Sequence, residues 1–215
     1  MRTILTTQAP ILFVISGPSG SGKGEALSIL RDELSISQVV TWTSRPPRPQ
    51  EINGVDYNFV SPEAFTALAD DGRFLEFNRT YGAHAYGSPS TILSFVEDTP
   101  TQVMELDPEG FLFLKANSTR RIIGLFICPA SIAQLDERIR SRAPVNDLEN
   151  RLQTARRQIR LSHVYDFVVS NDSDLRIFKE RLETIVESVL VDNKGRRLIN
   201  QLTAEVSRSD LHGQA

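Results

Sequence analysis

A chain of 215 residues, of which 40% are apolar and 24% are charged, can bury one full hydrophobic core and has the composition of an ordinary soluble protein. Its net charge of −3, from 24 basic and 27 acidic side chains, argues against a general nucleic-acid binder. The single cysteine, Cys128, excludes an internal disulfide framework and favours a reducing compartment.

The sequence carries no signal for a membrane or for a protein-built metal centre. No apolar run approaches the roughly 18 residues of a membrane span, and the start of the chain lacks the apolar segment of a signal peptide. The histidines, His84, His163 and His212, are scattered without the ligand spacing of a zinc site. We therefore expect a cytoplasmic protein that binds neither membrane nor nucleic acid. Cys128, on an apolar strand, is expected in the core.

A glycine-rich loop, GPSGSGKG, follows the apolar run Ile11–Ile15 and precedes a helical pattern predicted from Glu25 to Leu34. A buried strand, a glycine loop and a helix in this order are typical of a phosphate-binding loop. The glycines let backbone N–H groups point at an anion, and the lysine adds a positive charge. The residues predicted to bind the phosphates are Gly17, Pro18, Ser19, Gly20, Ser21, Gly22, Lys23 and Gly24.

A mostly β segment from Thr41 to Ser94 is predicted next, inserted between two α/β units. A loop from Thr43 to Val55 carries three prolines and the turn pair Asn53-Gly54. The predicted strands are Gln38–Thr43, Asp56–Val60, Arg73–Arg79 and Ala85–Ser88, and helices are predicted to begin at Ser61-Pro62 and at Ser88-Pro89, the second running to about Val96.

The remaining elements alternate, which predicts a parallel sheet covered by helices on both faces. The predicted strands are Gln102–Leu106, Arg121–Cys128 and Asp166–Ser170, and the predicted helices are Pro108–Ala116, one capped by Ser131, and Asp174–Leu190. Seven arginines fall between Arg138 and Arg160. The tail from Val191 to Ala215 predicts at most a short amphipathic helix, to which we assign no function.

From about Leu12 to Leu190 the chain resembles the guanylate kinase family of P-loop nucleoside monophosphate kinases. The loop GPSGSGKG alone indicates only a nucleotide binder, whereas TSRPPRPQEINGVDYNFVS, from Thr43 to Ser61, is far more specific. GRFLEF, Tyr86-Gly87-Ser88, Glu105-Leu106-Asp107 and Val169–Asp172 add to the resemblance.

The resemblance implies an α/β P-loop three-layer fold, in which helices flank a parallel sheet and a small mostly β insertion binds GMP beside a helical lid. Residues 1–40 and 96–190 would form the core, with the lid at about 138–155, residues 41–95 would bind the nucleoside monophosphate, and 191–215 would be a C-terminal extension. The implied reaction transfers the γ-phosphoryl group of ATP to GMP or dGMP, with Mg²⁺ accompanying ATP. The implied assembly is a monomer or a homodimer.

The resemblance also implies the GMP-binding residues, position by position. Two guanidinium forks and two phenols suit a phosphate, and a carboxylate suits the N1–H and amino groups of guanine. The phosphate would be held by Arg45, Arg48, Tyr57 and Tyr86, the base by Glu76 with hydroxyls from Thr41 and Ser88, and Glu105 and Asp107 would hold Mg²⁺ water or contact GMP. Two residues apart on one strand, these last two acids are expected on one face.

On the ATP side the resemblance implies catalysis by Lys23 and by arginines of the lid, Arg138, Arg142 and Arg151, with Asn171 near adenine. Phosphoryl transfer is accelerated mainly by positioned cations that neutralise charge on the equatorial oxygens. The other arginines of this segment are expected on a solvated helix face.

Three departures from the family pattern leave alternatives open. No hydroxyl follows the P-loop lysine, since Gly24 and Glu25 stand there; the lid is about two residues shorter; and Ala85 replaces a usual tyrosine. One alternative is a degenerate relative that binds GMP or a partner with little kinase activity. Another is a P-loop kinase with a different phosphate-bearing acceptor.

Overall fold

Two β-sheets organise the part of the chain that the computed structural model describes, which is residues 10–80, 84–93, 99–141, 148–172 and 174–191. The strands are β1 Ile11–Ser16, β2 Ser37–Gln38, β3 Thr41–Thr43, β4 Tyr57–Phe59, β5 Phe74–Thr80, β6 His84–Pro89, β7 Gln102–Glu105, β8 Arg121–Pro129 and β9 Phe167–Asn171. The helices are α1 Lys23–Ser28, α2 Pro62–Asp70, α3 Pro108–Asn117, α4 Ile132–Arg140, α5 Leu148–Arg160 and α6 175–191. A π-helical turn, Ile29–Glu33, prolongs α1.

The larger sheet is parallel throughout, in the order β2-β7-β1-β8-β9. All six residues of β1 are buried, as expected for a central parallel strand with helices on both faces. Alternate β1 side chains enter two cores: Phe13 belongs to the core that includes Phe178 of α6, and Leu12 to the core that includes Phe111 of α3. The predicted three-layer α/β fold is confirmed.

The smaller sheet has the order β4-β3-β6-β5 and joins the larger one through a short connection. The single strand predicted from Gln38 to Thr43 is wrong, because this run serves both sheets. The N–H of Val39 still donates to the carbonyl of Val103 at 2.8 Å, whereas Thr41 already pairs with Tyr57 in the small sheet. A purely local pattern of β-branched residues cannot reveal such a change of partner.

Two of the three helix starts predicted at a capping serine are confirmed, and the third is wrong. The hydroxyls of Ser61 and Ser131 accept from the N–H groups of Ala64 and Gln134 at 3.2 and 3.1 Å. The helix start predicted at Ser88-Pro89 is wrong: Ser88 lies in β6, where its hydroxyl donates to Glu76. The 3₁₀ turn Ser90–Leu93 follows, and residues 94–98 lie outside the described residues.

Helices α4 and α5 pack on each other through a small apolar cluster of Leu135, Ile139, Leu152 and Ala155. Both helices are otherwise polar and rich in arginine. Residues 142–147 between them, including Arg142, lie outside the described residues, as does the tail 192–215 with its predicted helix. Within the described ranges, no helix is long and apolar enough to cross a membrane.

Candidate functional site

The glycine loop leaves the carboxyl end of β1 and curls tightly against β8. Gly17 has a φ of 148°, and a Cβ there would lie 2.3 Å from the carbonyl oxygen of Ile127, so only glycine fits. The N–H of Ser21 donates to the carbonyl of Pro18 at 3.1 Å, which closes the turn. The loop reaches α1 at Lys23, two residues before the start predicted at Glu25.

Three side chains from different elements hold the carbonyl groups of this loop. Lys23 Nζ donates to the carbonyl of Pro18 at 3.2 Å, and Arg138 Nη1 of α4 donates to that of Gly20 at 3.2 Å. Asn171 Nδ2, at the end of β9, donates to the carbonyl of Ser21 at 3.0 Å. The predicted ATP-side residues Lys23, Arg138 and Asn171 therefore converge on the loop backbone.

Two acids at the end of β7 take different partners. Glu105 is the last residue of the strand, and its Oε1 lies 3.5 Å from Lys23 Nζ. Asp107 caps the start of α3 instead, where its Oδ1 accepts from the N–H of Gly110 at 2.7 Å. The expectation that both acids share one strand face is wrong, because the strand ends at Glu105 and the chain turns into a helix.

Arg45, Tyr57 and Tyr86 come together on the small sheet. Arg45 Nε donates to the hydroxyl of Tyr86 at 3.2 Å, and its guanidinium carbon lies 5.6 Å from the centre of the Tyr57 ring. The two tyrosine rings meet edge to face at 6.1 Å. Burial, and then the charge of Glu105, raises the pKa of Tyr57, so its phenol remains a hydrogen-bond donor. Glu105 thus links the loop lysine to this aromatic and guanidinium cluster.

Glu51 was not identified from the sequence, yet it organises both arginines of the Arg-Pro-Pro-Arg segment. Its Oε1 accepts from Arg45 Nη2 at 2.8 Å, and its Oε2 from the N–H of Arg48 at 2.7 Å. Although burial opposes it, the hydrogen bonds from Arg45 and Arg48 lower the pKa of Glu51. The side chain of Arg45 is only 12% exposed, whereas that of Arg48 is 73% exposed. The spacing of Glu51 three residues after Arg48 was the available signal.

The Asn53-to-Tyr57 motif closes the loop that precedes β4. Asn53 Oδ1 accepts from the N–H of Phe59 at 2.9 Å, and Asp56 Oδ2 accepts from the N–H of Ile52 at 2.8 Å. Each of these side-chain oxygens therefore takes the place of a backbone carbonyl as the acceptor for an N–H group. The motif shapes the backbone that presents Tyr57.

Glu76 and Ser88 face each other across the β5–β6 ladder, where they are register partners. The hydroxyl of Ser88 donates to Glu76 Oε1 at 2.7 Å. Burial raises the pKa of Glu76; the bond from Ser88 opposes this shift, and the charge of Asp107 adds to it. Thr41, the partner of Tyr57 in the parallel β3–β4 pair, is half-buried.

At the start of α1, Gly24 and Glu25 stand where the family pattern has a hydroxyl. A Cβ at Gly24 would meet no atom within 4 Å, so the position is open space, and Glu25 is exposed. Among the described residues, no group of three or more histidine, cysteine, aspartate or glutamate side chains could hold a metal ion. Glu105, 36% exposed beside Lys23, is the predicted metal-contacting acid that keeps a carboxylate open to a ligand.

Two of the arginines expected on a solvated helix face, Arg140 and Arg157, form ion pairs at the surface. Arg140 Nε lies 2.8 Å from Asp136 Oδ2 within α4, and Arg157 Nη2 lies 2.7 Å from Glu109 Oε1, which links α5 to α3. Arg151 is half-buried on α5. The expected exposed face is thus partly paired with acids, and the role expected of Arg142 falls outside the described residues. Cys128 is half-buried against the core that contains Phe111, and burial raises the pKa of its thiol.

Comparison with known proteins gives a consistent result. A family model described as guanylate kinase matches residues 10–189. A guanylate kinase of Thermosynechococcus vestitus is 37% identical over 192 residues, which cover 86% of this chain and 98% of the relative. One of Thermus thermophilus is 32% identical over 210 residues, 95% of this chain and 86% of the relative. A crystal structure of guanylate kinase from Anaplasma phagocytophilum superposes with a TM-score of 0.64 and 25% identity, covering 86% of this chain and 88% of that one.

Proposed function

The chain belongs to the guanylate kinase family, and from this premise we propose how its residues divide the transfer of the γ-phosphoryl group from ATP to GMP, which yields ADP and GDP. The glycine loop and the lid would bind ATP, and the small sheet would bind GMP. The observation that carries this division is the position of Glu105, 3.5 Å from Lys23 and close enough to Tyr57 to raise the pKa of its phenol.

On the ATP side, the loop from Gly17 to Gly24 would bind the phosphates through its backbone N–H groups. Lys23 would reach the β- and γ-phosphates, because its ammonium group is already held at the loop mouth by Pro18 and Glu105. Arg138, Arg142 and Arg151 of the lid would neutralise charge on the transferred group. Closure of the lid would also exclude water, which protects ATP from hydrolysis.

On the GMP side, Arg45, Tyr57 and Tyr86 would hold the phosphate, with Arg48 completing the grip from its exposed position. The pairing of Arg45 with Glu51 and Tyr86 fixes the guanidinium before the phosphate arrives, which reduces the entropy lost on binding. Glu76 would accept from guanine, assisted by Ser88, Thr41 and Asp107. A base that offers this half-buried carboxylate no donor in addition to Ser88 would be disfavoured.

Mg²⁺ would enter bound to ATP, and when bound it neutralises charge on the phosphate oxygens. The described residues fit a metal carried mainly by the nucleotide, since one open carboxylate, Glu105, stands at the loop and no three-residue cluster does. Asp107, engaged in capping α3, would act through water or through GMP. We propose a cytoplasmic enzyme, in keeping with its single cysteine.

The experiment that tests this function is a coupled assay of ADP release with ATP, Mg²⁺ and each of GMP, AMP, CMP and UMP, with GMP binding followed by calorimetry. We expect turnover with GMP and little with the other monophosphates. GMP binding without turnover would identify the degenerate binding protein instead. Turnover with another monophosphate and not with GMP would identify a kinase with a different acceptor.

A further inference from the structure

We propose that Asn171 is a positioning residue for the phosphate-binding loop: its amide group aims the N–H of Gly22 at the phosphates by holding the carbonyl of Ser21. This inference rests on the proposed function of the loop. In this inference Asn171 acts on the polyphosphate chain of the nucleotide through the backbone of the loop, and it does not bind the adenine base. No part of it requires a contact between Asn171 and the nucleotide.

The first support is burial. Asn171 is 8% exposed and Ser21 is 0% exposed, and Asn171 Nδ2 donates to the Ser21 carbonyl at 3.0 Å across 150 positions of sequence. A hydrogen bond between two buried partners is retained because losing one partner would leave the other without solvent or protein to replace it. A side chain committed in this way acts on the loop whether or not nucleotide is present.

The second support is the geometry of one peptide unit. The carbonyl of Ser21 and the N–H of Gly22 belong to the same planar trans peptide and point in opposite directions. Because Asn171 holds the carbonyl on one side of the peptide, the N–H of Gly22 points to the opposite side, where we infer that the phosphates bind. The neighbouring peptide is held in a similar way, because Arg138 Nη1 donates to the carbonyl of Gly20.

The third support is the shape of Gly22. Its φ is 101°, and a Cβ placed on it would lie 2.1 Å from Asn171 Nδ2. The asparagine therefore packs directly on the backbone of Gly22, in a space that any side chain would fill. Glycine is needed here for the left-handed conformation and for this close approach together.

The fourth support is the anchorage of Asn171 itself. Arg181 Nη1, on α6, donates to the carbonyl of Ser170 at 2.8 Å and to Asp172 Oδ1 at 2.8 Å, so it grips the residues on both sides of Asn171. The end of β9 is thereby fixed relative to α6. An amide on such a fixed strand end can hold a loop in one conformation, which is what preorganised phosphate binding requires.

The test compares a nucleotide with a ligand that has phosphates but no base. The dissociation constants of ADP and of inorganic tripolyphosphate, both with Mg²⁺, are measured by calorimetry for the wild-type protein and for Asn171→Ala. If Asn171 acts through the loop, both ligands should weaken by the same factor of about tenfold. GMP binding should be unchanged, and the KM for ATP should rise together with a fall in kcat.

Three results would overturn the inference. Weaker ADP binding with unchanged tripolyphosphate binding would make Asn171 a base ligand, and unchanged binding of both would leave it without a role in the loop. A wild-type protein that binds ADP but not tripolyphosphate would also contradict it, because the loop would then bind no phosphate chain on its own.

Controls separate this inference from folding and from the proposed activity. Asn117→Ala removes an exposed asparagine at the end of α3, whose Nδ2 donates to the carbonyl of Phe113 at 2.7 Å, and it should leave both dissociation constants unchanged. If Asn171→Ala does not fold, Asn171→Leu, which has a similar size and shape and removes the donor without adding charge, should weaken both ligands equally. Because binding is measured without turnover, failure of the proposed kinase activity is detected separately.

Discussion

The two regions proposed to bind nucleotides would recognise phosphate by opposite means. In the glycine loop the backbone would do the binding, and side chains such as Asn171 and Arg138 serve to hold carbonyl groups away from the ligand. On the small sheet the side chains would do the binding, and a second set of side chains holds them, as Glu51 and Tyr86 hold Arg45. In both regions the groups that would meet phosphate are fixed before it arrives.

This difference teaches which substitutions each region tolerates. A backbone site depends on glycines and on buried donors, and exposed side chains such as Glu25 should affect it least. A side-chain site depends on each guanidinium and its partner. Four substitutions test the distinction, from the largest expected effect to the smallest.

Lys23→Ala should lower kcat by about 10²- to 10³-fold, because the loop cation proposed to reach the β- and γ-phosphates is lost. GMP binding measured by calorimetry should be unchanged, since the GMP region keeps its own arginines. Lys115→Ala is the matched control and should keep full turnover. It removes a lysine of α3 whose Nζ lies 3.1 Å from Asp166 Oδ2. If Lys23→Ala keeps its turnover, the glycine loop is not the phosphate-binding site used in catalysis.

Arg45→Met should raise the KM for GMP by about 10- to 100-fold, because a hydrogen-bonded charge is lost from a largely enclosed position. Arg48→Met is its natural control, since that side chain is 73% exposed and should matter less. Steady-state kinetics at saturating ATP measures both. Equal effects of the two variants would contradict a GMP region organised around Arg45 and Glu51.

Glu76→Gln should raise the KM for GMP by about tenfold and relax selection for guanine. Burial raises the pKa of Glu76 above its ordinary value of 4.5, and the carboxylate is the form that would accept from guanine. The wild-type KM for GMP should therefore rise as the pH falls through that raised pKa. In Glu76→Gln this pH dependence should disappear, and a KM that rises equally in both proteins would assign it to another group.

The same shift predicts a gain in stability from this substitution. A carboxyl group with a raised pKa in the folded state favours folding in its neutral form, so its contribution is present at low pH and is lost as the pH rises through the folded value. Glu76→Gln should then melt at a higher temperature than the wild type at pH 7. The difference should shrink below pH 4.5, where the wild-type group is neutral in both states.

Glu25→Thr should change turnover least, with an increase of about two- to fivefold in kcat, because an exposed carboxylate near the loop mouth is exchanged for a hydroxyl. Gly24→Ser offers a second position, since a Cβ there meets nothing within 4 Å. Mg²⁺ titrations of turnover measure the effect. Unchanged turnover in both variants would mean that the missing hydroxyl does not limit metal handling.

The sequence predicts the loop well because strand, glycines and helix are contiguous. Most strands and helix caps are predicted for the same reason, and the resemblance adds residues such as Arg45 and Glu76 that no local pattern would select. Glu51 was missed since its importance depends on the position of Arg45 in space. Asp107 was misjudged because helix α3 starts one residue after it and takes its carboxylate as a cap.

The single strand predicted over Gln38–Thr43 is wrong for the same reason. Gln38 pairs in the large sheet and Thr41–Thr43 pair in the small sheet, in both cases with partners far away in sequence. Ser88-Pro89 matched a capping pattern, yet the pairing of Ser88 with Glu76 across β5 and β6 prevailed. In each case a long-range partner overrode a local preference, which is the usual limit of single-sequence reasoning.

The connection between the two sheets at residues 39–40 has a practical consequence for measurements of hydrogen exchange. The amide of Val39 is bonded to Val103 in the large sheet, and two residues later Thr41 pairs with Tyr57 in the small sheet. A single proteolytic peptide over residues 37–43 would therefore carry reporters from both sheets. When exchange is resolved by residue, GMP that rigidifies only the small sheet should slow the amides of Thr41–Thr43 and leave that of Val39 unchanged, so that Val39 serves as the internal reference.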